Sequence, residues 1–250
     1  FTSSKVAELQ LNLSKLGFTA REIIVAEEAI LNLATATTED LARSATVVAS
    51  TIRGFSLDAS EAGRVANVMG KAFTSSALDL EKFQTSMSKV SPVAQLLGFS
   101  VEETTAILAR LTDAGIEASI AGTSLRNIMI ELGDPTSNLS KRMGGTVHSA
   151  KELIEGLRDL NLTEVELREI TGLVAKRQVA AFGVMISGVE AVDNLTKSLN
   201  DQTDAIGDMR EIMEQTTEGA LIEMNSALEK FNITAGKTTG GFFKGLFKSI

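Results

Sequence analysis

Within its first hundred residues the chain three times sets glycine, phenylalanine and a hydroxyl side by side: Gly17-Phe18-Thr19, Gly54-Phe55-Ser56 and Gly98-Phe99-Ser100. Each letter has a use where one helix stops and another starts. Glycine takes the left-handed position that closes a helix, phenylalanine packs back on the helix that is ending, and the hydroxyl caps the next one. The spacings of 37 and 44 residues lie in the range of helix-pair repeats. They are unequal and the matches are short, so the expectation is duplicated helical hairpins rather than a regular solenoid.

The rest of the chain supports an all-α fold: a multi-helix bundle of hairpins followed by one long helix. Thr19 to Glu22 and Ser100 to Glu103 are capping boxes. Thr37-Thr38 and Ser56 are expected to open helices, and Ser91-Pro92 is expected to start another, with proline at the first helical position. Asp113-Ala114-Gly115-Ile116 carries a helix-end glycine, and Gly133-Asp134-Pro135 a stop. Ser149 is placed to cap a helix carrying Leu153, Ile154 and Leu157; Thr163 to Glu166 is a further box, and residues 174–186 read as a buried helix.

The most periodic stretch comes last. Val192, Leu195, Leu199, Gln202, Ile206, Met209, Met213, Thr216 and Ala220 alternate spacings of three and four, a heptad seam with a stutter beyond Ala220. One helix from Val189 to Phe231 would be about 65 Å long at ~1.5 Å rise per residue. Such a helix must pack on itself, on other copies or along a wall, and Gly207 and Gly219 are the places where it would break. The chain therefore divides into a helical core over 1–187, a coiled-coil-like helix over 188–235, and a Gly/Phe/Lys segment over 236–250. The last segment, with Phe242-Phe243 and Phe247 between lysines, is either a packing end or the start of a membrane-active stretch. Beginning at Phe1, the sequence reads as a fragment or a processed product.

Composition removes most chemistry. Cysteine, tryptophan and tyrosine are missing and there is one histidine, His148, so thiolate metal sites, disulfides and multi-histidine sites are excluded. A formal charge of −8 argues against generic binding to nucleic acid. Acidic pairs such as Glu39-Asp40 and Glu102-Glu103 sit where the first turn of a helix favours negative charge, which explains them without acid–base catalysis. The hydroxyls of Thr74-Ser75-Ser76 have no marked partner base, and Gly144-Gly145-Thr146 lacks the lysine and spacing of a phosphate loop. The expectation is no enzyme, no cofactor and no metal.

One string stands apart: Ala121-Gly122-Thr123-Ser124-Leu125-Arg126-Asn127. It describes a tight helix–helix contact, in which Gly122 permits close approach, Leu125 enters the core, and Arg126 reaches a carbonyl or a carboxylate. With Leu111-Thr-Asp-Ala-Gly-Ile116 before it, the Pro135 stop and the Gly144-Gly145 turn after it, then Lys176-Arg-Gln-Val-Ala-Ala181 and Glu218-Gly219-Ala220, this order resembles the core region of phage tail tape measure proteins. The similarity covers roughly residues 5–230; Ile170-Thr171-Gly172 departs from it, standing where the family more often has an apolar–Phe–Gly turn.

The resemblance implies a structural protein of the virion that lies in the tail lumen or tip, sets tail length and is released during DNA ejection. It implies no catalytic residue in this region. Its partners would be further copies of itself, with a trimer favoured, then tail tube and tail-tip or baseplate proteins and tail assembly chaperones. The host membrane would be met through the C-terminal segment. Two other readings stay open: a membrane-active helical protein that forms or docks a channel at the host envelope, and a generic helical adaptor.

Overall fold

The computed structural model describes residues 1–145, 147–160, 165–166, 176–201, 205–216, 220–221, 224, 226–228 and 230. Among them the fold is all-α, with no strand. Seven helices come first: α1 (Ser3–Lys15), α2 (Ala20–Thr37), α3 (Leu41–Gly54), α4 (Ala62–Ser75, after a short 3₁₀ turn at Ala59–Glu61), α5 (Leu80–Leu96), α6 (Val101–Asp113) and α7 (Ala118–Gly133). After them come α8 (Asn138–Met143), α9 (Ala150–Asp159), α10 (Lys176–Ile186), α11 (Val189–Asn200) and α12 (Ala205–Glu214).

Helix starts follow local chemistry. Thr19 and Ser100 form complete capping boxes with Glu22 and Glu103, and Ser149 accepts from the Glu152 amide. The α3 cap is Asp40, not Thr37 or Thr38, because Thr38 sits in the left-handed conformation that closes α2. The corners share one geometry. At Gly17 (φ 83°) and Gly98 (φ 81°) the following phenylalanine amide donates five residues back, from Phe18 to Leu13 at 3.0 Å and from Phe99 to Ala94 at 2.9 Å. Gly115-Ile116 does the same against Leu111 at 3.0 Å. The middle junction is shifted by two residues. Ser56, at φ 54°, takes the place expected of Gly54, Leu57 takes that of Phe55, and Asp58 is the cap. Gly54 is instead the last residue of α3 and lies against α5, where a Cβ would come 2.8 Å from Ser91 Cβ.

Ser91-Pro92 does not start a helix. Asp79 caps α5, which runs through Pro92 to Leu96. The amide that proline lacks would serve the Ser88 carbonyl; both residues are exposed, so water can take its place. Ser91 is buried and donates its hydroxyl to the Met87 carbonyl.

The corners stack the hairpins in register. Lys5 meets Asp40 and Arg53 meets Gly17, so α1 and α3 run parallel. Arg43 meets Glu81 while Gly54 meets Ser91, so α3 and α5 are parallel; Gly122 meets Ser86 while Gly133 meets Leu97, so α5 and α7 are too. The helices α2, α4 and α6 return in a second layer, where Arg64 of α4 meets Glu102 of α6. Bonds between successive hairpins join residues 36, 38 and 36 apart. The duplication is therefore a stack with a nearly constant step, which the unequal 37 and 44 concealed because the middle junction is displaced.

The C-terminal helices retrace this stack. α10 packs on α6, α7 and α9, α11 on α4, α6 and α9, and α12 on α2 and α4. The expected single helix beyond Val189 is corrected: α11 ends at Asn200 with Asp201 extended, and α12 begins afresh at Ala205. Beyond residue 187, α11 and α12 lie against the hairpins. The physical reason is burial. Val192, Leu199 and Ile206 are 1–3% exposed because the body already offers an apolar face. Gln202, Gly219, Phe231, the box at Thr163, Ile170-Thr171-Gly172 and the segment 236–250 lie outside the described residues.

Candidate functional site

The Ala121–Arg126 string lies at a close contact between the parallel helices α5 and α7. On α7, Gly122 faces the backbone of α5 so closely that a Cβ there would come 2.3 Å from the Ser86 carbonyl oxygen and 2.8 Å from Ser86 Cα. Only glycine permits this approach. Ala121 and Leu125 are fully buried beside it, and Thr123 is half-buried. Ser86 turns its hydroxyl inward to the Lys82 carbonyl at 2.8 Å, so the helix surface that Gly122 meets carries no projecting group. Arg126 departs from the expectation: it is exposed and bonds to none of the described residues.

The first corner is held by an arginine that sequence reasoning missed. Arg53, at the end of α3, donates to the Gly17 carbonyl at 3.1 Å, pairs with Glu22 at 3.3 Å and stacks on the Phe18 ring at 4.4 Å. The bond from Thr19 to its carboxylate, more than Arg53, holds Glu22 below the usual carboxylate range. Between α4 and α6, the almost fully buried Glu102 pairs with Arg64, which also pairs with Glu61 at 2.6 Å. Burial works against the charge on Arg64, yet the two carboxylates more than offset it and raise its pKa. Neither arginine has a periodic signal that would mark it; only the fold brings it to its partners.

Part of the seam expected to face other copies packs inside the chain. Ile206 fits over Gly70 of α4, where a Cβ would come 2.5 Å from Ile206 Cδ1, and Met209 sulfur lies 3.3 Å from the same point. The Ile206 amide donates to Asn67 Oδ1 at 3.1 Å, and Arg210 donates to Asn32 Oδ1 at 2.8 Å. Lys71 donates to the carbonyls of Ser198 and Asp201 at 2.9 Å each. Leu195, Met209 and Met213 are half-buried and Ala220 is exposed. Beyond Ala220, Leu221, Met224 and Leu228 also face outward, about half exposed.

Chemistry is sparse. Among the described residues no group of three or more His, Cys, Asp or Glu side chains is placed to hold a metal ion. His148 is exposed, and its amide donates to Glu152. The hydroxyls of Thr74, Ser75 and Ser76 bond to carbonyls of their own helix end. A cleft of about 240 Å³ between α2 and α4, with Val25, Glu28, Asn32, Gly63, Asn67 and Ile206 in its lining, is an open groove. No single described helix is long and apolar enough to cross a membrane; α10 and α11 would be so only jointly, and they are bent by 74°.

Comparison with known proteins places this arrangement. The profile of a family described as phage-related minor tail protein matches residues 1–247. The chain is 30% identical over 247 residues to the tape measure protein of Pneumococcus phage Dp-1, covering 93% of this chain and 22% of that protein. It is 23% identical over 245 residues to a probable tape measure protein of Escherichia phage P2, covering 91% of this chain and 30% of that one. The chain thus spans between a fifth and a third of the length of these curated relatives. No solved structure matches it.

Proposed function

This chain belongs to the phage-related minor tail protein family and is a structural component of the virion tail, and on that premise we propose that it is part of a tape measure. The reading assigns the tape measure as a whole three duties: setting tail length, occupying the tail lumen or tip, and leaving ahead of the DNA at ejection. The observation that carries it is the similarity over more than nine-tenths of the chain to two proteins named for tape measuring. The physical basis is that a helix has a fixed rise, so residues convert to distance at about 1.5 Å each wherever the chain runs extended. The hairpin stack does not run extended, so it acts as a body of constant size, and length is set by the rest of the protein.

In this reading the chain works as shape and not as a catalyst. Its partners are tail tube and tail-tip proteins, assembly chaperones, and further copies of itself, a trimer being favoured. The outward stripe of Leu221, Met224 and Leu228 is the part of the periodic segment available for self-association. A light-scattering mass of one chain at micromolar concentration would remove the self-association. The acidic balance suits a protein that must clear a DNA channel, and it predicts weak DNA affinity even at low salt. The length-setting role is tested in the phage. In-frame insertions in the parent gene, placed in extended helical sequence, should lengthen tails by about 1.5 Å per residue in electron micrographs. Unchanged tails would end this role.

A further inference from the structure

The periodic segment carries the spacing of one structure and adopts another. Val192, Leu195, Leu199, Ile206 and Met209 keep the three-and-four rhythm of a continuous seam across Asp201, yet α11 stops at Asn200 and Asp201 is extended, with α11 on α4, α6 and α9 and α12 on α2 and α4. Two features of α4 act at this interruption. Gly70 forms the notch that Ile206 fills. Lys71, 15% exposed, donates to the carbonyls of Ser198 and Asp201 and pairs with the Asp201 carboxylate at 3.3 Å. In a helix continuing past Asn200, those two carbonyls would accept the amides four residues on. The lysine thus donates to two carbonyls at the end of α11, Ser198 accepting the Asp201 amide as well, and it brings a cation to the helix end, where the dipole favours one.

We propose that Gly70 and Lys71 form a clasp that holds α11 and α12 on the hairpin stack, and that releasing it converts the two into one continuous helix whose seam is free. The closed form buries Ile206 and satisfies the end of α11 through Lys71. The open form exchanges the Lys71 bonds for those of a continuous helix and leaves a row of apolar side chains for another surface. The clasp is a property of this chain alone and does not depend on the length-setting role.

The test uses the absence of cysteine in the chain. Spin labels on Ile24→Cys and Ile212→Cys, both exposed, report the separation of α2 from α12 by pulsed electron resonance, with circular dichroism recorded on the same samples. The parent protein should give one short distance. Lys71→Met should raise the population of a second, longer distance by ~10-fold or more, the loss expected for charged hydrogen bonds, with helical signal kept or increased. Adding Gly70→Leu should make the long distance dominant. A single short distance in Lys71→Met overturns the proposal, and so does a long distance accompanied by loss of helix, because the strap would then be melting rather than extending. If the double variant fails to fold, Lys71→Met alone decides.

Discussion

The hairpin stack of α1–α7 and the strap of α11 and α12 are made of similar helices held in unlike ways. In the stack, six of the seven helix starts are fixed by neighbours in sequence: Thr2, Thr19, Asp40, Asp79, Ser100 and Glu117 each cap the helix that follows them, while α4, without a side-chain cap, follows a 3₁₀ turn capped by Asp58. In the strap, α11 starts at Gly188 with no side-chain cap, and it ends on a lysine more than a hundred residues away. Local bonds define an element before it packs; remote bonds define it only after. The stack should therefore hold its helices against changes that dislodge the strap.

The largest effect that would break this contrast lies at the α5–α7 contact. Gly122→Val drives a side chain into the Ser86 backbone and should cost about 3 kcal/mol or more in denaturant unfolding. In the strap, Ile206→Ala should cost about 2 kcal/mol by loss of a buried side chain, while Ile212→Ala, two-thirds exposed, should stay within ~0.5 kcal/mol. Thr19→Ala and Ser100→Ala each remove a cap of the stack and should cost ~1 kcal/mol, without freeing α12. Ser56→Gly relieves a left-handed non-glycine residue and should change stability least, by a gain of under ~1 kcal/mol.

Acid sharpens the same comparison. Glu22 is held below its ordinary value of 4.5, first by the bond from Thr19; Asp58 and Asp134 lie below 3.8 through the hydroxyls of Ser60 and Thr136. Burial pushes Asp79 upward, but bonds from Lys82 outweigh it. Folded values below the unfolded ones give stability that is complete above the unfolded pKa and lost as pH falls through the folded pKa. The melting temperature should accordingly hold near neutrality and drop below about pH 4. Glu22→Gln should flatten that drop, because position 22 then no longer titrates, whereas Thr19→Ala keeps the backbone amide that donates to the Glu22 carboxylate.

The stack was largely visible in the sequence because its signals are local. Capping boxes at Thr19 and Ser100, the glycines at positions 17, 98 and 115, and the Ser149 cap all stand where their letters place them. Gly122 was visible as a close-approach residue, though not the helix it approaches. Gly54 misled because glycine serves both left-handed turns and tight crossings, and only its contact with Ser91 separates the two. Pro92 misled because α5 runs through it, the amide it lacks falling at the exposed Ser88, where water can serve the carbonyl. The seam misled for a deeper reason. Spacing records that a face is apolar, and Val192 and Ile206 satisfy the same pattern whether they meet another copy or their own hairpins.

The contrast between a locally specified stack and a remotely held strap meets its most direct test in native-state hydrogen exchange across a series of low denaturant concentrations. Amides of α3, α5 and α6 should exchange only through global unfolding, whereas those of α12 should open in a smaller event at lower free energy. Exchange of α12 through the same global event as α5 would contradict the account.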